Sequence, residues 1–514
     1  MMPWCRRCHR ELPKGIALKP AWNRPLTLLR HTWAGLVNID QFRWLVRRDV
    51  QEQLVLAERE IGAKHVRAVG MFDDEMRAIG PDPRQWREKD PRPRTNFQIV
   101  DYVIDSLLDR GLQPMFTTTF MPGALAAGER TVFTTRSRVD PPRDMAEWAR
   151  LVRSSVMHAR DRYGLDVIGG WYYEVWNEPN LRNSFFSGTQ TDFFELWRAT
   201  RDAIKSVDAD LRVGGPSTAR VEWIPEFLDW SRSHDCAPDY LIAHIYGNDG
   251  ASGALSPFDG PQEERETRSP HFASRAIRGT RRLLDKLGFR GELHWNEWGR
   301  TWHPCDELRE SATEAAWIVT TMAEVSQTAD RFAYWCLSDI YDQVGYGAEA
   351  FCGHYGMLSL QGLRKPSYIA HQLLERLGHK QVSTSGAGLD AHHHAMVTRD
   401  GDQVRVLVSA LPDSAEAVPT PLSVEVPLPG RPAETPRLYR VGDRENNILA
   451  TWRELGAPPV LSRAQTAALQ AANGLTVATA SAVRVEKGPG GWTATFSMEN
   501  PGVALLETAM MGRS

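Results

Sequence analysis

Residues 171–180 read Trp-Tyr-Tyr-Glu-Val-Trp-Asn-Glu-Pro-Asn, and this stretch decides how the chain is interpreted. The run from Trp171 to Trp176 is rich in aromatic and β-branched residues and follows a Gly-Gly turn, which predicts a β-strand. Pro179 ends that strand, because proline has no N–H for the ladder and disfavours a helical residue before it. Glu178 is therefore expected at the tip of a buried strand, where burial raises a carboxyl pKa and suits a general acid. The alternative is that Glu178 only caps the next loop.

A second strand-like stretch, residues 291–299, reads Gly-Glu-Leu-His-Trp-Asn-Glu-Trp-Gly. It carries Glu297 near its end, between Trp295 and Trp298. Two carboxylates at strand ends suit glycoside hydrolysis, in which one protonates the leaving oxygen and the other attacks or stabilises the anomeric carbon. The neighbouring indole rings are expected to stack on sugar faces. Together the two stretches favour a glycosidase more strongly than either does alone.

From about residue 29 the chain alternates strands and helices, and eight such units can be counted. The predicted strands are 30–37, 65–69, 113–118, 171–176, 211–215, 239–246, 292–297 and 331–338. This order predicts an α/β fold, a (β/α)8 TIM barrel over residues 29–380. In that fold catalytic groups lie at the carboxyl ends of strands, where Glu178 and Glu297 fall. A doubly wound sheet would need a glycine-rich phosphate turn after the first strand, and the sequence has none there.

Beyond about residue 380, short alternating runs separated by glycine and proline replace the helical periodicity. They predict an accessory β-sandwich domain over residues 381–514, interrupted by two helices within 443–472. The consecutive residues His392, His393 and His394 could bind metal. Since consecutive strand residues alternate between faces, a solvent-exposed strand is the favoured interpretation.

Composition and charge exclude several classes of protein. The 514 residues have a formal net charge of −3, so neither nucleic acid nor an anionic membrane is an expected partner. No stretch approaches the roughly 20 apolar residues of a membrane span. Six scattered cysteines fit reduced thiols. Because the basic N-terminus also lacks the apolar segment of a secretory signal, a cytoplasmic protein is expected.

One motif near the start favours a different function, a haem or redox protein. Residues 5–9 read Cys-Arg-Arg-Cys-His, the pattern of covalent haem attachment. Haem attachment usually requires export, and a second cysteine pair that could complete a zinc site is missing. Residues 1–28 are therefore interpreted as a flexible N-terminal extension, and neither a cofactor nor a bound metal is expected.

These motifs together resemble glycoside hydrolase family 39, which contains β-xylosidases and α-L-iduronidases. The resemblance extends from about residue 31 to 505 and is closer to the xylosidase branch. Besides residues 171–180, the stretches that carry it include Val66-Arg67, Phe120-Met121-Pro122, Val213-Gly214-Gly215-Pro216, His244-Ile245-Tyr246, Tyr334-Trp335 and Lys365-Pro366-Ser367-Tyr368. The resemblance implies a retaining exo-glycosidase that releases a single sugar from a small oligosaccharide or glycoside.

The resemblance also implies roles for individual residues. Glu178 would be the acid/base and Glu297 the nucleophile of a double displacement, with carboxyl groups about 5 Å apart. Arg67 would keep Glu297 ionised, because a nearby cation lowers a carboxyl pKa. Asn177 would hydrogen-bond the sugar 2-hydroxyl. The other substrate-binding residues would be His244, Tyr246 (as a donor to the nucleophile), Trp335 and Asp342.

Two features of the predicted strands bear on this assignment. Asn177 and Glu178 are neighbours, so both can face one site only where the strand loses its alternation, which Pro179 favours. Glu174 and Glu292 are further strand carboxylates, and they are expected to form ion pairs or lie at the rim rather than take part in chemistry.

The sequence departs from the xylosidase pattern at positions that bear on the substrate. Val69 stands where the xylosidases carry a histidine, and Asp342-Gln343 stands where they carry consecutive glutamates. Losing these polar groups predicts a preference broadened or shifted towards arabinopyranosides, galactosides or fucosides. A catalytically inactive carbohydrate-binding barrel is the alternative of another class, which the retained Glu178 and Glu297 argue against. The oligomeric state is open, with a homo-oligomer as one alternative.

Overall fold

An eight-stranded parallel sheet lies at the centre of the fold, and each of its strands pairs with the next one along the chain. The computed structural model describes residues 15–89, 93–182, 184–249, 269–343, 345, 347–413 and 417–511. Barrel strands 1 to 8 are Leu36–Gln41, His65–Val69, Gln113–Thr117, Tyr172–Glu174, Arg212–Thr218, Tyr240–Tyr246, Glu292–Gly299 and Arg331–Tyr334. The Phe332 amide donates to the Thr32 carbonyl and the Leu337 amide to the Asn38 carbonyl, so the sheet nearly closes into a barrel.

Helices connect the strands and cover the outside of the barrel. They are Arg48–Ile61, Gln98–Leu108, Met145–Tyr163, Leu165–Ile168, Gln190–Lys205, Ile224–Ser233, Phe272–Lys286, Ala312–Val325 and Pro366–Glu375. Helix Gln98–Leu108 buries Val100, Val103 and Leu107 on one face, the helical spacing of a surface that packs on a sheet. Helix Gln190–Lys205 begins at a capping box of Thr189 and Asp192.

Short 3-10 helices and two β-hairpins lie between the longer helices and strands. The 3-10 helices are Phe42–Val46, Asp74–Met76, Pro83–Gln85, Ala219–Val221, Glu307–Glu310, Ser326–Thr328 and Ala480–Ala482. Hairpins pair Ile79–Pro81 with Pro93–Thr95 and Thr131–Val132 with Ser137–Arg138. These hairpins lie in the loops after strands 2 and 3.

The predicted (β/α)8 barrel is confirmed, and the differences lie at strand ends. Strand 1 begins at Leu36 rather than residue 30, because residues 32–35 form a turn in which Gly35 has a φ of 89°. Strand 4 stops at Glu174, two residues before its predicted end, because Trp176 adopts a left-handed conformation with a φ of 65°.

Two further sheets form the predicted β-sandwich. One orders strands Thr384–Ala387, Gly15–Pro20, Thr420–Leu428, Gly491–Asn500 and Val483–Gly488, and the other orders strands Thr27–Leu28, Lys380–Gln381, His393–Asp400, Gln403–Ala410, Gly502–Ala509 and Arg437–Val441. Ile16, Val404 and Val424 are among the apolar side chains that form the core between them. The two predicted helices within 443–472 are Ile448–Glu454 and Arg463–Ala472.

The N-terminal segment belongs to the sandwich, so the prediction of a flexible extension over residues 1–28 is wrong from residue 15 onwards. Strand Gly15–Pro20 lies between two others, antiparallel to Thr384–Ala387 and parallel to Thr420–Leu428. Its partners lie far along the chain, so no local pattern indicates the pairing. Residues 1–14, with the Cys5–His9 motif, lie outside the described residues.

The three consecutive histidines do not lie on a solvent-exposed strand, which corrects a second prediction, and the strand itself begins only at His393. The His393 side chain is fully buried, with Nδ1 2.9 Å from Asp390 Oδ1. His394 is half-buried, with Nε2 3.3 Å from Glu324 Oε1 on barrel helix Ala312–Val325. Among the described residues, a group of side chains with metal-ligand spacing occurs at a different place. It consists of Glu178, His244 and Glu297, inside the barrel.

The sandwich packs against helices Ala312–Val325 and Pro366–Glu375 of the barrel. The buried hydroxyls of Thr320 and Ser409 are 2.8 Å apart across this junction, and Arg376 Nη2 lies 2.6 Å from Glu507 Oε2. Apolar side chains of the sandwich, such as Leu407 and Leu505, belong to the same hydrophobic core as the barrel. In the part of the chain that the structure describes, every helix is too short or too polar to cross a bilayer.

Lys365, at the start of helix Pro366–Glu375, is a fully buried cation. Its Nζ lies 2.6 Å from Glu310 Oε1 and 2.6 Å from Asp339 Oδ2, and both carboxylates are also buried. Burial raises the pKa of Asp339 to about 6, although the Lys365 charge opposes this rise. The three side chains tie the segments after strands 7 and 8 to the helix that completes the barrel.

Replacing Lys365 with methionine is expected to lower the free energy of unfolding by about 3–5 kcal/mol, because two buried carboxylates lose their cation. The loss should be larger at pH 8 than at pH 5. Unpaired buried carboxylates have raised pKa values in the folded state, so the folded variant gains stability by binding protons as the pH falls. Urea denaturation followed by tryptophan fluorescence at both pH values measures the difference.

The matched control is Arg48→Ala, which removes an ion pair with Glu52 whose side chains are 91% and 62% exposed. An exposed pair of this kind should change the free energy of unfolding by less than about 1 kcal/mol. A loss for Lys365→Met as small as that of the control would contradict the structural role of the buried triad.

Candidate active site

The chain changes direction sharply after strand 4, and this change presents two neighbouring side chains to one site. Trp176 and Glu178 have positive φ values of 65° and 45°, and the Glu178 amide donates to the Ser217 carbonyl at 2.8 Å. The alternation of side chains is therefore lost at the end of strand 4. The sequence predicted this loss as the condition for Asn177 and Glu178 to share one site. Asn177 and Glu178 are both buried.

The indole rings around these carboxylates do not face a ligand, which corrects the expectation that they stack on sugars. Trp171, Trp176, Trp295 and Trp298 are fully buried. Trp298, for example, stacks on Trp317 with ring centroids 5.2 Å apart. These rings fill the layer between the barrel and its helices, and a ring without exposed surface cannot contact substrate.

Glu178, His244 and Glu297 meet at the carboxyl ends of strands 4, 6 and 7. One side-chain donor or acceptor atom of each lies within 4.8 Å of the others. His244 Nδ1 is 2.9 Å from Glu178 Oε1 and 3.5 Å from Glu297 Oε2. Such spacing could also hold a metal ion, but a cation would share Glu297 with the guanidinium of Arg67. Two carboxylates this close suit acid and nucleophile chemistry at one sugar carbon.

Arg67, on strand 2, is the fully buried cation of the site. Its Nε and Nη2 donate to the two Glu174 oxygens at 2.8 and 3.0 Å. Nη1 donates to Glu297 Oε2 at 3.2 Å, and Nη2 donates to Asn177 Oδ1 at 2.6 Å. Glu174 forms the ion pair that was expected of it, whereas Glu292 lies at the other end of strand 7 beside His294.

Burial raises the pKa of both close carboxyl groups, and different neighbours oppose it at each. Burial raises the pKa of Glu178 to about 7, with Arg67 and Arg220 opposing. Burial also raises the pKa of Glu297, while His244, Arg67 and the Tyr246 hydroxyl oppose this rise. The contact with Arg67 lowers the pKa of Glu297, as expected of a nearby cation. Burial raises that pKa by more, so the net pKa of Glu297 is above its ordinary value. Burial lowers the pKa of His244, while the charge of Glu297 opposes this fall.

Tyr246 contacts Glu297, and Trp335 packs in the same aromatic cluster as Tyr246. The Tyr246 hydroxyl donates to Glu297 Oε1 at 2.7 Å, as expected. Trp335 follows strand 8, is 5% exposed, and belongs to an aromatic cluster with Tyr246, Tyr341 and Tyr355. In contrast with the fully buried indoles, this cluster lies at the end of the barrel where the strands terminate.

Asp342 and Gln343, which also follow strand 8, already have protein partners. The Asp342 carboxylate pairs with Arg43 and accepts from the Thr134 hydroxyl at 3.0 Å. Gln343 Nε2 donates to Asp40 Oδ1 at 2.7 Å, and burial raises the pKa of Asp40 to about 7. One Asp342 oxygen, Oδ1, is buried without a hydrogen-bond partner among the described residues.

Sequence reasoning missed Asp40, Arg43 and Asn296. Asn296 Nδ2 donates to Glu174 Oε1 at 2.8 Å, and its signal was the repeated dipeptide Asn-Glu, present at 177–178 and 296–297. Asp40 and Arg43 carry no local signal, because their partners lie about 300 residues away.

Comparison with known proteins assigns the chain to a family. The sequence model of glycosyl hydrolases family 39 matches residues 16–487. The chain is 28% identical over 448 residues to a β-xylosidase of Caldicellulosiruptor saccharolyticus, with 86% of this chain and 88% of that protein covered. It is 27% identical over 439 residues to a β-xylosidase of Geobacillus stearothermophilus, with 84% of each covered. A solved structure of a monomeric β-xylosidase from Caulobacter crescentus CB15 has a TM-score of 0.83 at 27% identity, covering 97% of this chain and 100% of that one.

The matched range contains all eight barrel strands and both stretches that carry Glu178 and Glu297. Retention of configuration at the anomeric carbon is a general property of this family. The chain is therefore a glycoside hydrolase and belongs to glycosyl hydrolases family 39.

Proposed function

We propose that the protein is an exo-acting, β-xylosidase-like enzyme that releases a single sugar, with Glu178 as acid/base and Glu297 as nucleophile. The observation that carries this proposal is the spacing of the two carboxylates, since one oxygen of each lies within 4.8 Å of the other. Retaining glycosidases hold these groups about 5 Å apart, whereas inverting enzymes need roughly 6.5–9.5 Å to admit a water. The xylosidase relatives support the choice of substrate class.

The hydrogen-bond donors support the division of roles. Glu297 accepts from the Arg67 guanidinium and from the Tyr246 hydroxyl, and both contacts stabilise the ionised form that a nucleophile needs. Glu178 is contacted by His244, and a pKa of about 7 leaves about half of Glu178 protonated at neutral pH and most of it protonated one pH unit lower. The protonated carboxyl is the one that can donate to a leaving oxygen.

In the first half of the reaction, a Glu297 oxygen forms a bond to the anomeric carbon as the bond to the leaving oxygen breaks. Glu178 transfers its proton to that oxygen, so the products are a glycosyl ester on Glu297, a neutral alcohol and an ionised Glu178. Asn177, which is held by Arg67 at 2.6 Å, would present its amide to the sugar 2-hydroxyl, a contact that strengthens in the transition state.

In the second half, water attacks the same carbon from the side that the alcohol left. Glu178 takes a proton from this water, the ester bond to Glu297 breaks, and the sugar leaves with its original configuration. Each glutamate then returns to its starting protonation state. The reaction therefore needs no group beyond these side chains and water.

A second candidate substrate preference is supported by the loop after strand 8. Asp342 and Gln343 are engaged with Arg43 and Asp40, and Val69 presents a buried apolar side chain at the end of strand 2. Fewer free polar atoms would then face the hydroxyls of the released sugar. Such a site would accept arabinopyranosides, galactosides or fucosides as well as xylosides.

We expect Glu297 to be the residue labelled by a mechanism-based inhibitor. A 2-deoxy-2-fluoro-β-xyloside with a good leaving group should form the glycosyl ester and slow its breakdown, because the fluorine destabilises the positively charged transition state. Tryptic cleavage after Arg290 and Arg300 isolates the peptide 291–300, in which mass spectrometry should find the adduct. The variant Glu297→Gln should remain unlabelled. Label on another carboxylate, or an inverted product by NMR, would rule out the double displacement.

Glu178→Ala should lose activity mainly on substrates with poor leaving groups, because only those need a proton at departure. We expect at least a 100-fold fall in kcat/KM for alkyl or sugar leaving groups and a much smaller fall for dinitrophenyl glycosides. Added azide should restore turnover and give a β-glycosyl azide. Glu292→Gln, which alters a strand carboxylate at the opposite end of the barrel, is the matched control and should behave as wild type.

The pH profile gives an independent check on the same residue. Glu178 acts as an acid only while protonated, so kcat/KM of the wild type should fall as the pH rises through about 7. This alkaline decline should disappear in Glu178→Ala with a dinitrophenyl glycoside. An unchanged decline would assign it to another group and contradict the role of Glu178.

The triple variant Val69→His, Asp342→Glu, Gln343→Glu restores the xylosidase pattern and should favour xylosides. We expect the ratio of kcat/KM for nitrophenyl xyloside to that for nitrophenyl arabinopyranoside to rise at least tenfold, which corresponds to about 1.4 kcal/mol. Using a ratio cancels any general loss of activity. A wild type already selective for xyloside, or an unchanged ratio in the variant, would show that these positions do not set the preference.

A further inference from the structure

The loop after strand 5 has an unusual backbone conformation close to Glu178. Arg220, Val221 and Trp223 have positive φ values of 57°, 63° and 67°, and Ser217 has one of 55°. Residues other than glycine rarely adopt this region, and each instance costs on the order of 1–3 kcal/mol unless its surroundings compensate. Such strain is concentrated in proteins at ligand sites, so the loop is a candidate for binding.

Hydrogen bonds fix this loop to the segment that carries Glu178. The Glu178 amide donates to the Ser217 carbonyl at 2.8 Å. Asn180 Nδ2 donates to the Ala219 carbonyl at 3.0 Å, while Asn180 Oδ1 accepts from the Ala219 amide at 2.9 Å. Asn180 Nδ2 also donates to Glu222 Oε2 at 3.0 Å. The loop and the proposed acid therefore form one rigid unit.

Arg220 lies on this loop with part of its donor capacity unused. Its side chain is 35% exposed, and Nη2 is 2.8 Å from Glu222 Oε1. Its Nε is buried and has no hydrogen-bond partner among the residues that the structure describes. A buried donor without a partner costs about 1–3 kcal/mol. Because Nε itself is buried, a ligand would instead meet the exposed third of the Arg220 side chain.

The position of Arg220 relative to the two glutamates indicates which part of a substrate it would meet. Its loop is hydrogen-bonded to Glu178 through Ser217 and to Asn180 through Ala219, which puts Arg220 on the side of the proposed acid. In keeping with this, Arg67 and Arg220 are the charges that lower the pKa of Glu178. Since the acid lies between the released sugar and the leaving group, a residue beyond it faces the leaving group.

The charges around Arg220 favour a neutral ligand rather than an anion. Glu222 is in direct ion-pair contact with the guanidinium. Asp249, whose carboxylate accepts from the Tyr246 amide at 2.7 Å, is also near enough for Arg220 to lower its pKa. A guanidinium with carboxylates beside it offers both donors and acceptors, which matches the hydroxyls of a sugar.

We infer that Arg220 and Glu222 bind the leaving group and that this group is a sugar. Its hydroxyl oxygens accept hydrogen bonds from Arg220, and its hydroxyl groups donate hydrogen bonds to Glu222. This inference rests on the proposed function, because it takes Glu178 to be the acid. It makes the enzyme selective for glycosides whose leaving group is itself a sugar, compared with aryl glycosides of the same released sugar.

The test compares two substrates that differ only in the leaving group, xylobiose and 4-nitrophenyl β-xyloside. Arg220→Ala should lower kcat/KM for xylobiose at least tenfold and for the aryl xyloside less than threefold. Arg220→Lys keeps the charge without the planar donor fork and should fall between wild type and Arg220→Ala. The control Arg198→Ala removes a half-exposed ion pair with Glu195 on an outer helix and should leave the ratio unchanged.

The pH profile separates binding from a purely electrostatic effect. Loss of the Arg220 charge should move the alkaline decline of kcat/KM to higher pH, because this charge lowers the pKa of Glu178. A shifted decline with equal losses on both substrates would mean that Arg220 acts only through its charge, which overturns the inference.

Glu178→Ala, measured on xylobiose in the same series, distinguishes the two possible failures. If Glu178→Ala is inactive on xylobiose and Arg220→Ala keeps the wild-type ratio, the inference fails and the proposed function stands. If Glu178→Ala retains full activity on xylobiose, the proposed function fails and the inference fails with it.

Discussion

Arg67 is a cation buried inside the barrel, and the site depends on how its charge is matched. Its guanidinium contacts Glu174 with two hydrogen bonds and reaches Glu297 and Asn177 with two more. A buried ion pair contributes little net stability, because desolvation offsets the Coulombic attraction, but removing one partner costs about 3–5 kcal/mol. Its main effect is geometric. One planar group with fixed donors on strand 2 sets the positions of side chains from strand 4, the turn after it, and strand 7.

Glu174 transmits this constraint to the backbone. Besides Arg67, its oxygens accept from Thr117, Ser217 and Asn296, which lie on strands 3, 5 and 7. Ser217 contacts Glu174 through its hydroxyl and the Glu178 amide through its carbonyl. The chain leaving strand 4 is thus held immediately after Glu174. Its left-handed residues turn Asn177 and Glu178 towards the same space, which an alternating strand could not do.

Local patterns in the sequence were sufficient for the barrel and for the two close glutamates, because strand and helix periodicity and the Asn-Glu dipeptides are short-range signals. They failed where the deciding partner is distant. In the sequence, Gly15–Pro20 is an isolated short run with no strand partner nearby. In the structure it pairs with Thr384–Ala387 and Thr420–Leu428. Likewise, the tryptophans beside the glutamates suggested sugar stacking. Strict alternation would place Trp295 and Trp298 on opposite faces, but the register of strand 7 shifts between them, and both are buried in the same core. Such a shift has no local signal in the sequence.

Charge balance explains why a proton stays in this site near neutral pH. Arg67 supplies one positive charge to a buried region that holds Glu174, Glu178 and Glu297, and burial disfavours a second positive charge on His244 by lowering its pKa. Although burial opposes it, Arg67 and its hydrogen bonds hold the pKa of Glu174 below the ordinary value, so Glu174 stays ionised. Ionising both remaining carboxyls would bury two uncompensated negative charges. One of them therefore keeps a proton. Glu297 has the Arg67 and Tyr246 donors, so the proposed reaction assigns the proton to Glu178.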